Sequence, residues 1–240
     1  MSVKAGRARR IPNDTRPRRA ASRRRGVASR RLASYDSAML VVGLTGNIAA
    51  GKSAVAARLA SHGIPIVDAD VLARAAVAPF TPALRRIAER WGKDVLEPDG
   101  WLDRAALRRL VFSDPGERKA LDAIVHPEVA RLRDTAIATY ASKNEPIVVC
   151  DIPLLFEAGL EETVDVIVLV DAPAELRRKR IVRDRGLSPS EADAMIAAPL
   201  PAAAKRSRAD HLIENSGTRS ELDARVDALL ATLRERAASA

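Results

Sequence analysis

The sequence predicts an α/β fold in three layers, α/β/α, in which a parallel sheet lies between helices and a helical subdomain is inserted between strands. Continuous apolar runs at 40–44, 147–151 and 164–171 are typical of parallel strands that are covered on both faces. Segments with helical periodicity separate these runs, as in a fold built from βαβ units. One such segment, 71–140, is long enough to form a subdomain of its own.

The first apolar run leads directly into a phosphate-binding loop, or P-loop. Its pattern is G-x-x-x-x-G-K-S, and its residues are Gly46, Asn47, Ile48, Ala49, Ala50, Gly51, Lys52 and Ser53. The glycines let consecutive backbone N–H groups point inward, and the helix that follows adds the positive end of its dipole. We expect Lys52 to reach the β- and γ-phosphates and the Ser53 hydroxyl to bind Mg²⁺. The pattern predicts a nucleoside triphosphate site, and its alternative is a chance glycine-rich turn.

Turn and capping residues indicate the other elements. After the loop, a helix is expected to end at Gly63, and a short strand to cover 64–67. Four helices are predicted within 71–140, and the residues that begin or end them are Thr81, Gly92, Asp103, Asp114 and His126-Pro127. Later helices begin at Pro173, Ser188 and Thr218, and the last strand covers 211–213.

Carboxylates follow the predicted strands. Asp68 and Asp70 are two residues apart, and on an extended chain both side chains face the phosphate site. One of them is expected to accept the proton of an acceptor hydroxyl, with Asp70 preferred, and the alternative for the pair is helix capping. Asp151 is interpreted either as a Walker B acid that holds Mg²⁺ through water or as a cap. Glu157 faces either the substrate or a loop backbone.

A cluster of cations follows a strand in the second half of the chain. Six Lys and Arg side chains lie within 177–185, and Arg180 and Arg183 are about one helical turn apart. Arginines of this kind stabilise the charge on the γ-phosphoryl oxygens during transfer. The alternative is a solvated basic face. His126 either contacts substrate or makes a structural hydrogen bond at a helix end.

The net charge of +9 comes from the N-terminal segment. Residues 1–38 carry twelve Lys and Arg and two Asp, so the segment has a charge of +10 and the rest of the chain −1. With few bulky apolar residues, 1–38 is expected to be disordered. Three interpretations are open: an arm that binds nucleic acid, a targeting segment, or upstream sequence that was included because the translation start was wrongly chosen. We favour the last, because Met39 directly precedes the first strand.

Composition also excludes some classes of protein. No apolar run approaches the roughly 18 residues of a membrane span, and the N-terminus lacks the apolar region of a secretory signal. A soluble cytoplasmic protein without a membrane partner is therefore expected. The single cysteine, Cys150, lies in a predicted strand, so we expect a core position and no intrachain disulfide.

Five motifs occur in an order that resembles one family, dephospho-CoA kinase. They are Gly43-Leu44-Thr45-Gly46, Asp68-Ala69-Asp70 with Arg74, Gly100-Trp101-Leu102-Asp103-Arg104, His126-Pro127, and Pro153-Leu154-Leu155-Phe156-Glu157. The similarity covers residues 39 to about 233. It implies transfer of a phosphoryl group from ATP, with Mg²⁺, to the ribose 3′-hydroxyl of dephospho-CoA. The products are CoA and ADP, and this is the last step of CoA biosynthesis.

The resemblance also implies a division of the chain and roles for its residues. The kinase domain would cover 39–236, with a nucleotide core of 39–70 and 141–236, a helical CoA subdomain of 71–140 and a lid of 173–205. Asp70 would be the catalytic base, while Lys52 and Arg180 would hold phosphates. The ATP-binding set would comprise the P-loop residues together with Ala54, Arg180 and Arg183. The residues toward dephospho-CoA would be Asp68, Arg74, Arg104 and His126, with Glu157 as a further candidate.

The chain departs from the family pattern at four positions. Asn47, Ala49 and Ala54 stand where such enzymes usually have Gly, Gly and Thr, and Pro199 stands where Gln is common. We expect ATP binding to survive the first three departures. Pro199, in contrast, is expected to change the contacts of the lid. The alternatives are another P-loop small-molecule or nucleotide kinase, and a nucleic-acid-binding NTPase that uses the basic segment. We expect a monomer or small homo-oligomer and no nucleic-acid partner.

Overall fold

The computed structural model describes residues 39–112 and 114–239, so the prediction of a disordered segment 1–38 lies outside the described residues. The strands of the sheet are β1 (Leu40–Gly46), β2 (Ile66–Asp68), β3 (Ile147–Asp151), β4 (Val166–Asp171) and β5 (His211–Glu214). Their order is β2-β3-β1-β4-β5, and every pairing is parallel. The parallel sheet is therefore confirmed, although β2 begins two residues later than expected.

Helices occupy most of the remaining described residues. They are α1 (Lys52–Ser61), α2 (Ala69–Ala76), α3 (Pro82–Trp91), α4 (Arg104–Val111), α5 (Pro115–Ala141), α6 (Ala174–Arg185), α7 (Pro189–Ala197), α8 (Ala202–Arg206) and α9 (Arg219–Ala238). Single 3₁₀ turns cover 93–95 and 161–163. In 39–112 and 114–239, no helix combines the length and apolar character that crossing a bilayer requires.

The predicted helix starts are confirmed where local capping chemistry is strong. Ser188 and Thr218 each form a capping box with the glutamate three residues later. Thr81, Asp103 and Asp114 accept hydrogen bonds from backbone N–H groups in the first turns of α3, α4 and α5. These caps satisfy donors that helix geometry leaves unpaired, so a short sequence pattern is enough to define the helix start.

Each face of the sheet is covered by its own hydrophobic core. On one face, α1 and α9 pack against the strands through side chains such as Leu59 and Val226. On the other face, Ile137 of α5 and Phe156 pack against Cys150. Cys150 is buried as predicted, and burial raises the pKa of its thiol to about 11. The two cores make the three-layer architecture.

The inserted helices have a third core of their own. Ile87, Val95, Leu107 and Ile124 are buried together among α3, α4 and the first half of α5. The prediction that a helix ends at His126-Pro127 is wrong, because Pro127 lies inside α5, a continuous helix of 27 residues. A proline inside a helix costs about 3 kcal/mol. Packing of α5 against two cores, before and after the proline, offsets that cost.

Candidate active site

The P-loop lies where the connections between neighbouring strands run in opposite directions. From the carboxyl end of β1 the chain runs to β2 on one side, and from the carboxyl end of the neighbouring β4 it runs to β5 on the other side. A crevice opens at such a point in parallel α/β sheets. Gly51, the N-cap of α1, has φ +95°, and a Cβ there would lie 2.2 Å from Asn215 Nδ2. Both the left-handed backbone and the lack of space require glycine at this position.

Hydrogen bonds between residues that are far apart in the sequence hold the P-loop in place. Asn47 donates to the buried Asp171 carboxylate at 2.7 Å, and Asn215 donates to the Ala50 carbonyl at 2.8 Å. Arg180 donates to the Ala49 and Ala50 carbonyls at 3.1 and 3.3 Å. These bonds occupy the carbonyls of Ala49 and Ala50. The Asn47 and Ala50 N–H groups bond to the Val170 and Asn47 carbonyls at 3.1 and 3.0 Å, so a phosphate would be held by the other N–H groups of the loop.

Ala49 adopts a left-handed conformation with φ +56°. This is one of the positions where the sequence has Ala in place of the glycine that its pattern suggests. A left-handed alanine costs roughly 1–2 kcal/mol, and the Arg180 hydrogen bond to its carbonyl supports this conformation. The loop therefore keeps its shape without a glycine at 49.

Lys52 and Asp151 form an ion pair in which the lysine ammonium donates to the carboxylate. Burial raises the pKa of Asp151, the Lys52 hydrogen bond lowers it, and the nearby carboxylates Asp68 and Asp70 raise it. The net result is a pKa above the usual range. Asp68 and Asp70 therefore lie near enough to Asp151 to disfavour its ionised form.

An open cavity of about 570 Å³ surrounds the P-loop. Besides the loop residues 46–53, its walls are formed by Asp70, Pro153, Leu154, Arg180, Asp184, Arg185, Pro199, Lys205 and Asn215. Four cations, Lys52, Arg180, Arg185 and Lys205, and two carboxylates line it. The excess of positive charge around inward-facing N–H groups suits a polyphosphate.

The carboxylates of Asp68 and Asp70 differ in what they contact. Asp68 accepts backbone hydrogen bonds from Asp70 at 2.8 Å and Val71 at 3.2 Å, so it caps α2. Asp70 lies in the first turn of α2 and lines the phosphate cavity, whereas Asp68 does not. The chain is not extended here, as was expected, because the strand ends at Asp68 and a helix begins at Ala69. Of the pair, Asp70 alone lines the cavity that could receive an acceptor hydroxyl.

Comparison with known proteins agrees with this geometry. A family profile described as dephospho-CoA kinase matches residues 40–221. Relatives named dephospho-CoA kinase from Anaeromyxobacter dehalogenans and Thermobifida fusca are 50% and 46% identical, and the alignments cover 82% and 78% of this chain and 93% of each relative. The chain belongs to the dephospho-CoA kinase family. It is therefore a kinase, an enzyme that uses ATP.

Solved structures support the fold. TT1252 from Thermus thermophilus superposes with a TM-score of 0.70 at 42% identity, over 81% of this chain and 98% of that one. Dephospho-CoA kinase from Campylobacter jejuni superposes with a TM-score of 0.60 at 21% identity, over 82% and 98%. The P-loop α/β fold predicted from the sequence is confirmed.

Several residues assigned from the family resemblance lie away from the phosphate cavity. Arg183 is 75% exposed and pairs with Asp184 at 2.6 Å. Ala54 packs against the core under α1. Arg74, in the last turn of α2, and Arg104, the first residue of α4, do not line the cavity. For these four residues, the family role stays a prediction.

His126 and Glu157 differ from their predicted surroundings. His126 lies inside α5 instead of at a helix end, 3.6 Å from Asp122, and it lines a second, smaller cavity. Glu157 pairs with the buried Lys205 at 2.7 Å and accepts a hydrogen bond from the Leu200 N–H at 3.2 Å. Burial raises the pKa of Glu157, but hydrogen bonds led by that from Lys205 hold it below the usual value.

Four residues that build the site were not predicted from the sequence. Asp171 ends β4 as Asp151 ends β3, and Asn215 follows β5, so both lie at the carboxyl edge where ligands bind in parallel sheets. Their position after a predicted strand was the signal that would have found them. Lys205 and Arg206 are adjacent in α8, and Arg206 donates to Asp171 at 2.7 Å. Neither Lys205 nor Arg206 belongs to a short sequence motif that could have identified it.

Proposed function

We propose that this enzyme transfers the γ-phosphoryl group of ATP to the ribose 3′-hydroxyl of dephospho-CoA, giving CoA and ADP. The observation that carries the proposal is the position of Asp70. Its carboxylate shares one cavity with the P-loop, Lys52 and Arg180. A kinase of the dephospho-CoA kinase family needs these parts together, namely a phosphate cradle, cations and a base for the acceptor hydroxyl.

The reaction is an in-line displacement. The acceptor 3′-oxygen forms a bond to the γ-phosphorus, the bond from that phosphorus to the β,γ-bridging oxygen breaks, and ADP leaves with the electron pair. Asp70 accepts the proton of the 3′-hydroxyl. Lys52 and Arg180 contact the phosphate oxygens, on which negative charge is spread in the transition state.

Mg²⁺ fits the residues at the end of β3. Proteins hold Mg²⁺ through one or two carboxylates together with substrate phosphates and water, so a dedicated cage is not needed. Accordingly, 39–112 and 114–239 hold no cluster of three His, Cys, Asp or Glu ligands. Ser53 would bind the ion directly and Asp151 through water. When bound, the ion neutralises phosphate charge.

The inserted helices and the α6–α7 pair are assigned as the acceptor subdomain and the lid. The division is a nucleotide core of 39–70 and 141–236, an acceptor subdomain of 71–140 and a lid of 173–205. Arg180 and Arg185 of α6 line the phosphate cavity, which supports a lid that brings cations to the nucleotide. The third hydrophobic core supports a separate inserted subdomain.

An ADP-release assay tests the reaction. With MgATP present, the full chain is offered dephospho-CoA, adenosine, AMP or shikimate, and we expect ADP only with dephospho-CoA. Turnover with another acceptor, or with none of the four, would contradict the proposal. Lys52→Ala should abolish transfer, because the lysine contacts the transferred group.

Asp70→Asn tests the base. Removing a general base should lower kcat at least ~10²-fold with ATP affinity little changed. Asp68→Asn is the matched control, because asparagine keeps the oxygen that caps α2. We expect this control to retain kcat within about threefold. Normal turnover in Asp70→Asn would refute the assignment of the base.

A further inference from the structure

Lys205 is a buried cation in the wall of the phosphate cavity. It lies in α8, its side chain is 1% exposed, and it lines the same cavity as the P-loop. Removing an ammonium from water is costly unless other groups replace the water that it loses. Each of its three N–H donors therefore needs an acceptor.

The carboxylate of Glu157 accounts for one of these donors. Its Oε1 atom lies 2.7 Å from the Lys205 ammonium and also accepts a hydrogen bond from the Leu200 N–H at 3.2 Å. In the part of the chain that the structure describes, the Lys205 ammonium has no second ion-pair or hydrogen-bond partner. Two of its three donors are thus left for a ligand in the cavity.

Lys205 and Asp70 reach the phosphate cavity from the same face of the sheet. The residues before and after α8 and those at the start of α2 pack on the core that contains Cys150, and they are Leu200, Ala209, Ala69 and Leu72. Helix α1, which begins at Lys52 of the P-loop, packs on the opposite face. The cavity therefore has the P-loop on one side and Asp70 with Lys205 on the other.

This arrangement puts Lys205 on the side from which the acceptor approaches. The proposed function places the acceptor hydroxyl at Asp70 and the nucleotide phosphates on the P-loop, so the γ-phosphoryl group moves from one side of the cavity to the other. Negative charge spreads over its three equatorial oxygens during transfer. Lys52 belongs to the P-loop and Arg180 is hydrogen-bonded to it, so both reach these oxygens from the nucleotide side.

We propose that Lys205 is a further catalytic residue, whose two remaining donors contact the γ-phosphoryl group as it moves to the acceptor. The inference rests on the proposed function. Glu157 is a positioning residue, because it holds the ammonium and, through the Leu200 N–H, the segment that leads into α8. A cation that is already fixed beside a developing charge lowers the barrier, since nothing has to reorganise during the reaction.

Glu157→Gln, alone and combined with Lys205→Met, tests the role of the lysine. Both variants lack the carboxylate, and the single variant keeps the ammonium. Removing one donor to a developing charge costs about 10²–10³ in kcat, so kcat of the double variant should be at least ~10²-fold below that of Glu157→Gln. MgADP has no γ-phosphoryl group, so its affinity by calorimetry should agree within about threefold between the two variants. Lys143→Met, at an exposed position after α5, is the control and should leave kcat unchanged.

A role in stability alone predicts a different result. The double variant has no unpaired buried charge, so it would be at least as active as Glu157→Gln, in which the ammonium has lost its partner. A kcat of the double variant within about tenfold of that of Glu157→Gln, or above it, overturns the proposal. A loss of MgADP affinity as large as the loss of kcat also overturns it, because the whole cavity would then be disturbed.

A crystal structure of the unaltered protein gives the answer even where a variant fails to fold. With MgADP, aluminium fluoride and dephospho-CoA bound, the aluminium fluoride stands for the transferring phosphoryl group. We expect the Lys205 Nζ atom about 3 Å from a fluoride. A distance beyond about 4 Å, the limit of an ion pair, overturns the proposal. Failure of the reaction itself is scored separately, as absence of ADP from the unaltered enzyme with MgATP and dephospho-CoA, which counts against the proposed function.

Discussion

Replacing Lys205 by methionine tests whether a buried ion pair stabilises the packing of α8. Lys205 lies in α8, its side chain is 1% exposed, and its ammonium is 2.7 Å from the Glu157 carboxylate. Methionine has a similar volume but no charge, so the substitution leaves Glu157 without its partner. An unpaired buried charge is more costly than the pair is favourable, because the carboxylate has lost its water and gains nothing in return.

The expected loss of stability is about 3 kcal/mol. Breaking a buried pair by removing one member costs about 3–5 kcal/mol, and the lower end applies because the Glu157 side chain is 21% exposed and water reaches it. For a chain of this length, 1 kcal/mol corresponds to roughly 2–4 °C in Tm. Lys205→Met should therefore lower Tm by roughly 6–12 °C in a thermal melt followed by circular dichroism.

Two further variants complete the test. Lys179→Met removes an exposed lysine that lies 3.7 Å from Glu175, and a pair of this kind contributes about 0–1 kcal/mol, so its Tm should hardly move. The double variant Lys205→Met with Glu157→Gln leaves no unpaired charge, so it should be more stable than the sum of the single changes predicts. If Lys205→Met melts within about 2 °C of the unaltered protein, the reasoning is refuted.

Two other predictions concern carboxylates on β4 and α9. The Arg58 guanidinium holds the pKa of Asp227 at about 2, so its ionised form contributes stability that is fully present above about pH 4 and is lost as pH falls toward 2. Asp227→Asn should therefore melt below the unaltered protein at pH 7, and this Tm difference should shrink between pH 4 and 2; a constant difference would contradict the argument. Asp171→Ala removes the carboxylate that accepts the Asn47 hydrogen bond and should weaken ATP binding on the order of tenfold by calorimetry. Asp193→Ala, at an exposed position, is its control, and equal ATP affinities in the two variants would show that Asp171 does not position the P-loop.

Local chemistry explains why much of the fold could be predicted. The P-loop pattern, the strand after it and the capping boxes at Ser188 and Thr218 each depend on residues within a few positions of one another. Such interactions form in the same way in most contexts, so the sequence pattern is sufficient. The continuous apolar runs likewise predicted the parallel strands, because a strand that is covered on both faces carries apolar side chains on both of them.

Tertiary contacts explain what could not be predicted. Asn47 and Asp171 are 124 residues apart, and nothing in the spacing of either indicates the other. The partner of Glu157 is likewise a lysine 48 positions later, in a helix of five residues. At Asp68 the error was local: the chain was taken as extended through Asp70, but a helix begins at Ala69, which changes the direction of the Asp70 side chain. Long-range partners and exact element ends are where sequence patterns carry least information.

Helix α5 belongs to two hydrophobic cores at once. Ile124 is buried among the inserted helices and Ile137 against the sheet, roughly 20 Å further along the same helix. The inserted subdomain therefore cannot melt without exposing a helix on which one face of the sheet depends, and the two should unfold in a single cooperative transition. Any rotation of that subdomain relative to the sheet must be absorbed by α5 itself, and Pro127, which donates no hydrogen bond to the helix, is the position where bending disturbs the helix least.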